Sequence, residues 1–208
     1  MSEQTRIRRA RYGIAAVLVG GAVLLAAPAL GGSGITFFGD GTDAPSVEPG
    51  SLRSAVSVKT RDGDVAALWV APTSEGGRCV VLNVGANAAA PSTVINSGGW
   101  CTRPPLREQG AAFAATINWV NPAGGRFEVV LAGEVSPAGG IARIELRSGA
   151  GATMLPLADG LFLGSLPSSG AAGRLARGDG PYVLVGRDRA GAEVATLDLA
   201  QLLAASRP

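Results

Sequence analysis

Cys79 and Cys101 are the residues whose chemistry is most narrowly defined by type and position. They are the only cysteines in the chain, and an even pair in an exported protein is the pattern of a disulfide. Closing the loop between them stabilises a domain by roughly 3 kcal/mol. The chain contains no histidine, so two thiols alone make a poor metal set, and their separation is not that of a redox CxxC pair. Trp100 adjoins the second cysteine. With Asn96, Thr102, Arg103 and Arg107 it forms a candidate binding cluster: one aromatic anchor among polar and cationic neighbours, the mixture in which protein interfaces concentrate their energy. The competing assignment lays Trp100 over the disulfide as a small satellite core and leaves Arg103 and Arg107 in solvent.

The remaining chemistry is defined mostly by missing partners. Without histidine there is no imidazole base and no His-based triad. Gly164-Ser165-Leu166-Pro167-Ser168 lacks the spacing of a nucleophile elbow, and Gly31-Gly32-Ser33-Gly34 is too degenerate for a nucleotide loop. Lys59 is the sole lysine and falls in a strand-like stretch, where a solvated face accounts for it. Asp40 with Asp43, and Asp62 with Asp64, place two carboxylates in a turn, short of the oxygen ligands that calcium takes and ordinary for Asp-Gly turns. A glycosidase-type pair needs two acids about 5–9 Å apart in a cleft, and no pair is marked out. No catalytic residue, metal site or cofactor is assigned.

The elements that must position these residues read as strands. Ala55–Thr60 and Val65–Val70 flank Arg61-Asp62-Gly63-Asp64, a hairpin turn signal, and Glu75–Arg78 turns the chain into Cys79–Val84. Trp69 lies in the middle of these three strands and is expected in the core. Gly85–Gly110 reads as a long irregular loop, and a loop of that length in a compact domain is often functional. Ala111–Val120 is read as a strand, because Phe113, Ala115, Ile117 and Trp119 alternate with smaller or polar residues. Val129–Ala132 is the apolar run of a central strand within Arg126–Glu134. Ile141–Arg147, Thr153–Leu157, Leu161–Leu166, Tyr182–Gly186 and Ala192–Leu197 follow, with Ser168–Gly180 as loop and Leu197–Ala205 as a closing helix.

Short strands at intervals of about 8–12 residues with glycine turns predict a mainly β fold, an antiparallel β-sandwich. No helices alternate with the strands as a parallel α/β sheet requires. An immunoglobulin-like layer architecture is compatible with this rhythm. However, the Cys79–Cys101 spacing is too short for the usual inter-sheet bridge, and Trp100 adjoins a cysteine instead of lying between the two.

Ahead of the strands stands Ile14–Leu30, an apolar stretch introduced by Arg6, Arg8, Arg9 and Arg11. Its length is at the short end for crossing about 30 Å of hydrocarbon, and the arginines predict that the bulk of the chain lies outside. Two alternatives stay open: a transmembrane anchor of a single-pass protein, or a signal peptide cleaved near Ala29 after Ala27-Pro28-Ala29. The domain plan is therefore a basic cytoplasmic tail over 1–12, the anchor or signal helix over 13–34, a linker over 35–51 and an extracytoplasmic β domain over 52–208. Four of the 18 basic residues but only Glu3 of the 16 acidic ones precede Ala29, so the remainder carries a net charge of −1. A phosphate-tracking surface needs clustered Lys and Arg, and nucleic acid is not an expected partner. The expected partners are the membrane, through the N-terminal helix, and a protein of the envelope. The function read from this is a non-catalytic binding or structural domain. The alternative is an extracytoplasmic carboxylate-based hydrolase or hydrolase-associated domain.

Overall fold

The computed structural model of the 208-residue chain describes residues 25–26, 35–37, 51–61, 63–73, 77–86, 99–102, 112–120, 128–166, 170, 174, 177 and 179–205. Among these residues fourteen strands run in chain order: β1 (Leu25–Ala26), β2 (Ile35–Phe37), β3 (Arg53–Lys59), β4 (Val65–Pro72), β5 (Arg78–Gly85), β6 (Gly99–Thr102), β7 (Phe113–Val120), β8 (Glu128–Val135), β9 (Arg143–Ser148), β10 (Gly151–Leu155), β11 (Leu157–Ala158), β12 (Leu161–Ser165), β13 (Val183–Arg187) and β14 (Glu193–Asp198). A helix, α1 (Leu199–Ala205), follows the last strand. The protein is mainly antiparallel β-sheet. Its strands form a first sheet in the order β1-β7-β8-β12-β11, a second in the order β10-β9-β13-β14, and a third in the order β2-β6-β5-β4-β3. The expected antiparallel β character is present, and the described strands fall into three sheets.

Strand β8 explains the arrangement. Every residue from Glu128 to Val135 is buried, so both faces of this strand are covered, as its apolar run predicted. Successive side chains point to opposite faces. Val129, Leu131 and Val135 join a cluster with Phe113, Ile117 and Phe162 of the first sheet, Ile144, Leu146, Leu155, Leu184 and Leu197 of the second, and Leu199 and Leu202 of α1. On the other face Val130 and Ala132, with Leu161 and Leu163 of β12, meet Val56, Ala66, Leu68, Val70, Val80, Leu82 and Trp100 of the third sheet. One strand thus contributes to two cores. The chain achieves this by leaving the first sheet after β8, building the β9–β10 hairpin in the second, and returning through the β11–β12 hairpin to pair β12 with β8.

Gly133 is where this packing demands glycine. A Cβ there would lie 2.2 Å from the Phe162 Cζ and 2.2 Å from the Ala114 carbonyl oxygen. The Phe162 ring crosses the strand at that point and meets Phe113 edge-on, with ring centroids 6.2 Å apart. The turns follow their local chemistry. Asp159 and Gly160, both at positive φ, link β11 to β12 in the two-residue geometry that favours Asp-Gly. Gly63, at φ 93°, supplies the positive-φ position of the longer turn between β3 and β4, where its N–H donates to the Thr60 carbonyl.

The strand expected over Ala111–Val120 is β7, and the expected closing helix is α1. The stretch Ile14–Leu30 lies outside the described residues except for Leu25–Ala26, which run extended and pair with Ala115 and Ala114. In the expected linker, Ile35–Phe37 pairs with β6 as the edge strand of the third sheet. Among the described residues no helix is long and apolar enough to cross a membrane.

Candidate functional site

The region singled out by sequence is built on β6, a strand inside the stretch expected to be an irregular loop. It pairs with β5 so that Cys79 stands directly opposite Cys101 and Val80 opposite Trp100. The disulfide between Cys79 and Cys101 is formed, with Cα atoms 4.0 Å apart, so it is a cross-strand bridge within one sheet. Because neighbouring residues of a strand face opposite ways, Trp100 and Cys101 are on different faces. Trp100 does not cover the disulfide. It is 1% exposed and belongs to the core between the first and third sheets, where its indole Nε1 donates to Glu134 Oε2 at 3.5 Å. An exposed anchor role is therefore not available to it. Thr102 ends β6 opposite Arg78 and Ile35, while Asn96, Arg103 and Arg107 lie outside the described residues.

Trp69 takes the place on the disulfide's face. It pairs with Val81, and Ala71 beside it pairs with Cys79. It is half-buried and not part of either core cluster. Its Nε1 is buried and has no hydrogen-bond partner among the described residues, a situation that costs about 1–3 kcal/mol relative to a satisfied donor.

The polar groups that the tertiary structure brings together are different ones. Glu128, Val130, Ala132 and Glu134 alternate along the face of β8 turned to the third sheet, so a carboxylate stands at each end of that interface. Glu134 accepts from Arg78 Nε at 3.0 Å and pairs with Arg78 Nη2 at 2.7 Å. Arg78 Nη1 donates in turn to the Asp159 carbonyl at 2.9 Å, and the Asp159 carboxylate pairs with Arg53. Arg53 beside it holds the Asp159 carboxyl below the usual aspartate range. At the other end Glu128 accepts the Arg61 backbone N–H, at 3.0 Å to Oε1 and 3.3 Å to Oε2. Each carboxylate of β8 is therefore bonded to a group of the third sheet or its β3–β4 turn. A second charged group lies on the second sheet, on the face away from its core. There Glu145 accepts from Arg187 Nε at 2.7 Å and Arg147 Nε at 2.8 Å, and Arg147 reaches Glu193 at 2.9 Å. The two arginines, Arg187 foremost, hold the Glu145 carboxyl below the ordinary glutamate range, and the paired carboxylates raise Arg147.

Chemically these are ties between strands and sheets. Each described pair offers one carboxylate held by guanidinium groups or backbone N–H, and among the described residues no three His, Cys, Asp or Glu side chains gather as a metal set. Sequence reasoning passed over Glu128 and Glu134. The signal was present: two acids in the same two-residue register as Val130 and Ala132, on a strand whose apolar run already marked it as central. Compared with known proteins, the chain matches no family model, no curated protein and no solved structure.

Proposed function

We propose that this chain is a non-catalytic binding or structural β domain of the cell envelope, held outside the membrane by its N-terminal segment or released there by cleavage. The three sheets, in this reading, stack as a layered sandwich with the first in the middle, supported by the apolar clusters on both faces of β8. The observation that carries the location is the disulfide between β5 and β6, a bond that persists in oxidising compartments, in a chain whose apolar stretch follows four arginines. Support for a non-catalytic role comes from the carboxylates, since Glu128, Glu134, Glu145 and Asp159 are each engaged in holding strands or turns together. Recognition then falls to the segment carrying Asn96, Arg103 and Arg107, rooted in the sheet through β6. The hydrolase alternative requires two acids released from such ties and converging on a cleft.

The test is fractionation of cells expressing the full chain, followed by intact-mass measurement with thiol alkylation, with and without reductant. A membrane-retained species beginning near Met1, or an exported soluble species beginning near Leu30, is the expected result, with both cysteines protected until reduced. A full-length species in the cytosol with both thiols free to alkylate would sink the proposal.

A further inference from the structure

The strands at the margins of the sheets are not protected alike. Strand β3 carries Arg53, Lys59 and an irregularity in register between Ser54 and Val56. Strand β14 carries Glu193 and Asp198, and its pairing with β13 shifts at Gly186/Arg187. Strand β11 is two residues long. Charges, bulges and brevity are the usual devices that stop a sheet edge from pairing with another chain. Strand β10, Gly151-Ala152-Thr153-Met154-Leu155, has none of them. It pairs with β9 in unbroken register, its first four residues are exposed, and Met154 is 50% exposed.

We propose that this edge pairs with the same edge of a second copy of the chain, antiparallel, with the two-fold axis at Thr153. Ser148 and Gly151 face each other across the Gly149–Ala150 turn. By alternation the N–H and C=O groups of Ala152 and Met154 point away from β9. Centring the pair on Thr153 sets Ala152 against Met154 of the second copy. Every backbone group that these two residues turn outward then finds a partner, which registers shifted by one residue do not achieve. The side chains are self-complementary in the same register. The large Met154 meets the small Ala152 on one face, and Thr153 meets Thr153 on the other, a favourable cross-strand pair. Charge agrees too: Glu145 lies beside Met154 and Arg147 beside Ala152. Each row across the seam therefore has Glu145 of one copy at one end and Arg147 of the other copy at the opposite end, with no charge at the seam itself. A seam of this length falls in the weak class, below about 1,200 Å², so association grows at high local concentration.

The test uses the full chain. Thr153→Cys is treated with diamide and run without reductant, beside Thr196→Cys on β14 as the control edge, while sedimentation follows the unmodified chain over a concentration series. The native cysteines are already bonded to each other and do not compete. A covalent dimer from Thr153→Cys and none from Thr196→Cys is expected, together with a concentration-dependent dimer of the unmodified chain. Met154→Lys, which puts on the edge an ammonium that pairing would desolvate against Ala152 of the second copy, raises the dissociation constant about tenfold or more with an unchanged circular-dichroism spectrum. Absence of the Thr153→Cys dimer in a folded chain overturns the proposal. So does a chain monomeric at every concentration, an extended peptide of another protein found on β10, or cross-linking through Thr196→Cys as efficient as through Thr153→Cys.

Discussion

Phe162 and Leu163 are consecutive residues of β12, yet they belong to different cores. Phe162 fills the cluster shared by the first and second sheets, which is broad, rich in leucine and closed at one side by α1. Leu163 fills the cluster shared with the third sheet, which is built of valine, alanine and leucine around one tryptophan and has Glu128 and Glu134 at its ends. The comparison teaches how the two interfaces are specified. Where large side chains interlock, shape alone fixes how the layers sit. The interface with the third sheet mixes four leucines and a tryptophan with smaller valines and alanines, and directional bonds at both of its ends add to the register that packing gives.

The sharpest way to break this comparison is to truncate the two neighbours. Phe162→Ala is expected to lower the unfolding free energy by about 3–5 kcal/mol and Leu163→Ala by about 2–5 kcal/mol, read by urea titration of the purified chain. Equal losses would mean that the two cores are packed alike. Next in size is the tie itself. Glu134→Gln takes from the Arg78 guanidinium, about a quarter exposed, the carboxylate of β8 and is expected to cost about 1–3 kcal/mol.

The two tryptophans sharpen the contrast between the faces of the third sheet. Trp100→Phe removes a donor to Glu134 and is expected to destabilise by about 1 kcal/mol. Trp69→Phe removes an N–H that has no partner among the described residues and is expected to be neutral or slightly stabilising in the same titration. The smallest effect concerns the charged face of the second sheet. The Glu145 carboxyl is held low by Arg187 and Arg147, so its contribution is fully present above the ordinary glutamate range and is lost only as pH falls through the lowered value. Melting temperatures followed downward from neutral pH should therefore show a decline confined to acid conditions. Glu145→Gln should flatten that part of the curve; an unaltered slope would mean that this carboxylate is not among the groups responsible.

Much of the strand pattern is legible in the sequence. The turns at Gly63 and Asp159-Gly160 are local chemistry, as are the central character of β8 and the helix after β14, and each is carried by residues within a few positions of one another. β6 was not legible, because its four residues sit in a glycine- and alanine-rich stretch without alternation. They become a strand only through partners at Cys79 and Val80, far away in the chain. The assignment of Trp100 failed for the same cause. Adjacency to Cys101 in sequence implied adjacency in space, whereas a strand sends neighbours to opposite faces.

By itself the sequence determined the antiparallel β character, the cysteine pair and the apolar segment led by arginines, since these rest on periodicity, composition and turn residues. Only the tertiary structure decided that the described strands fall into three sheets, that one strand serves two cores, that Glu128 and Glu134 tie one interface, and that no described strand pairs with the outer edge of β10. Those properties depend on which strand lies beside which, and a pairing between distant segments leaves no periodic trace in either one.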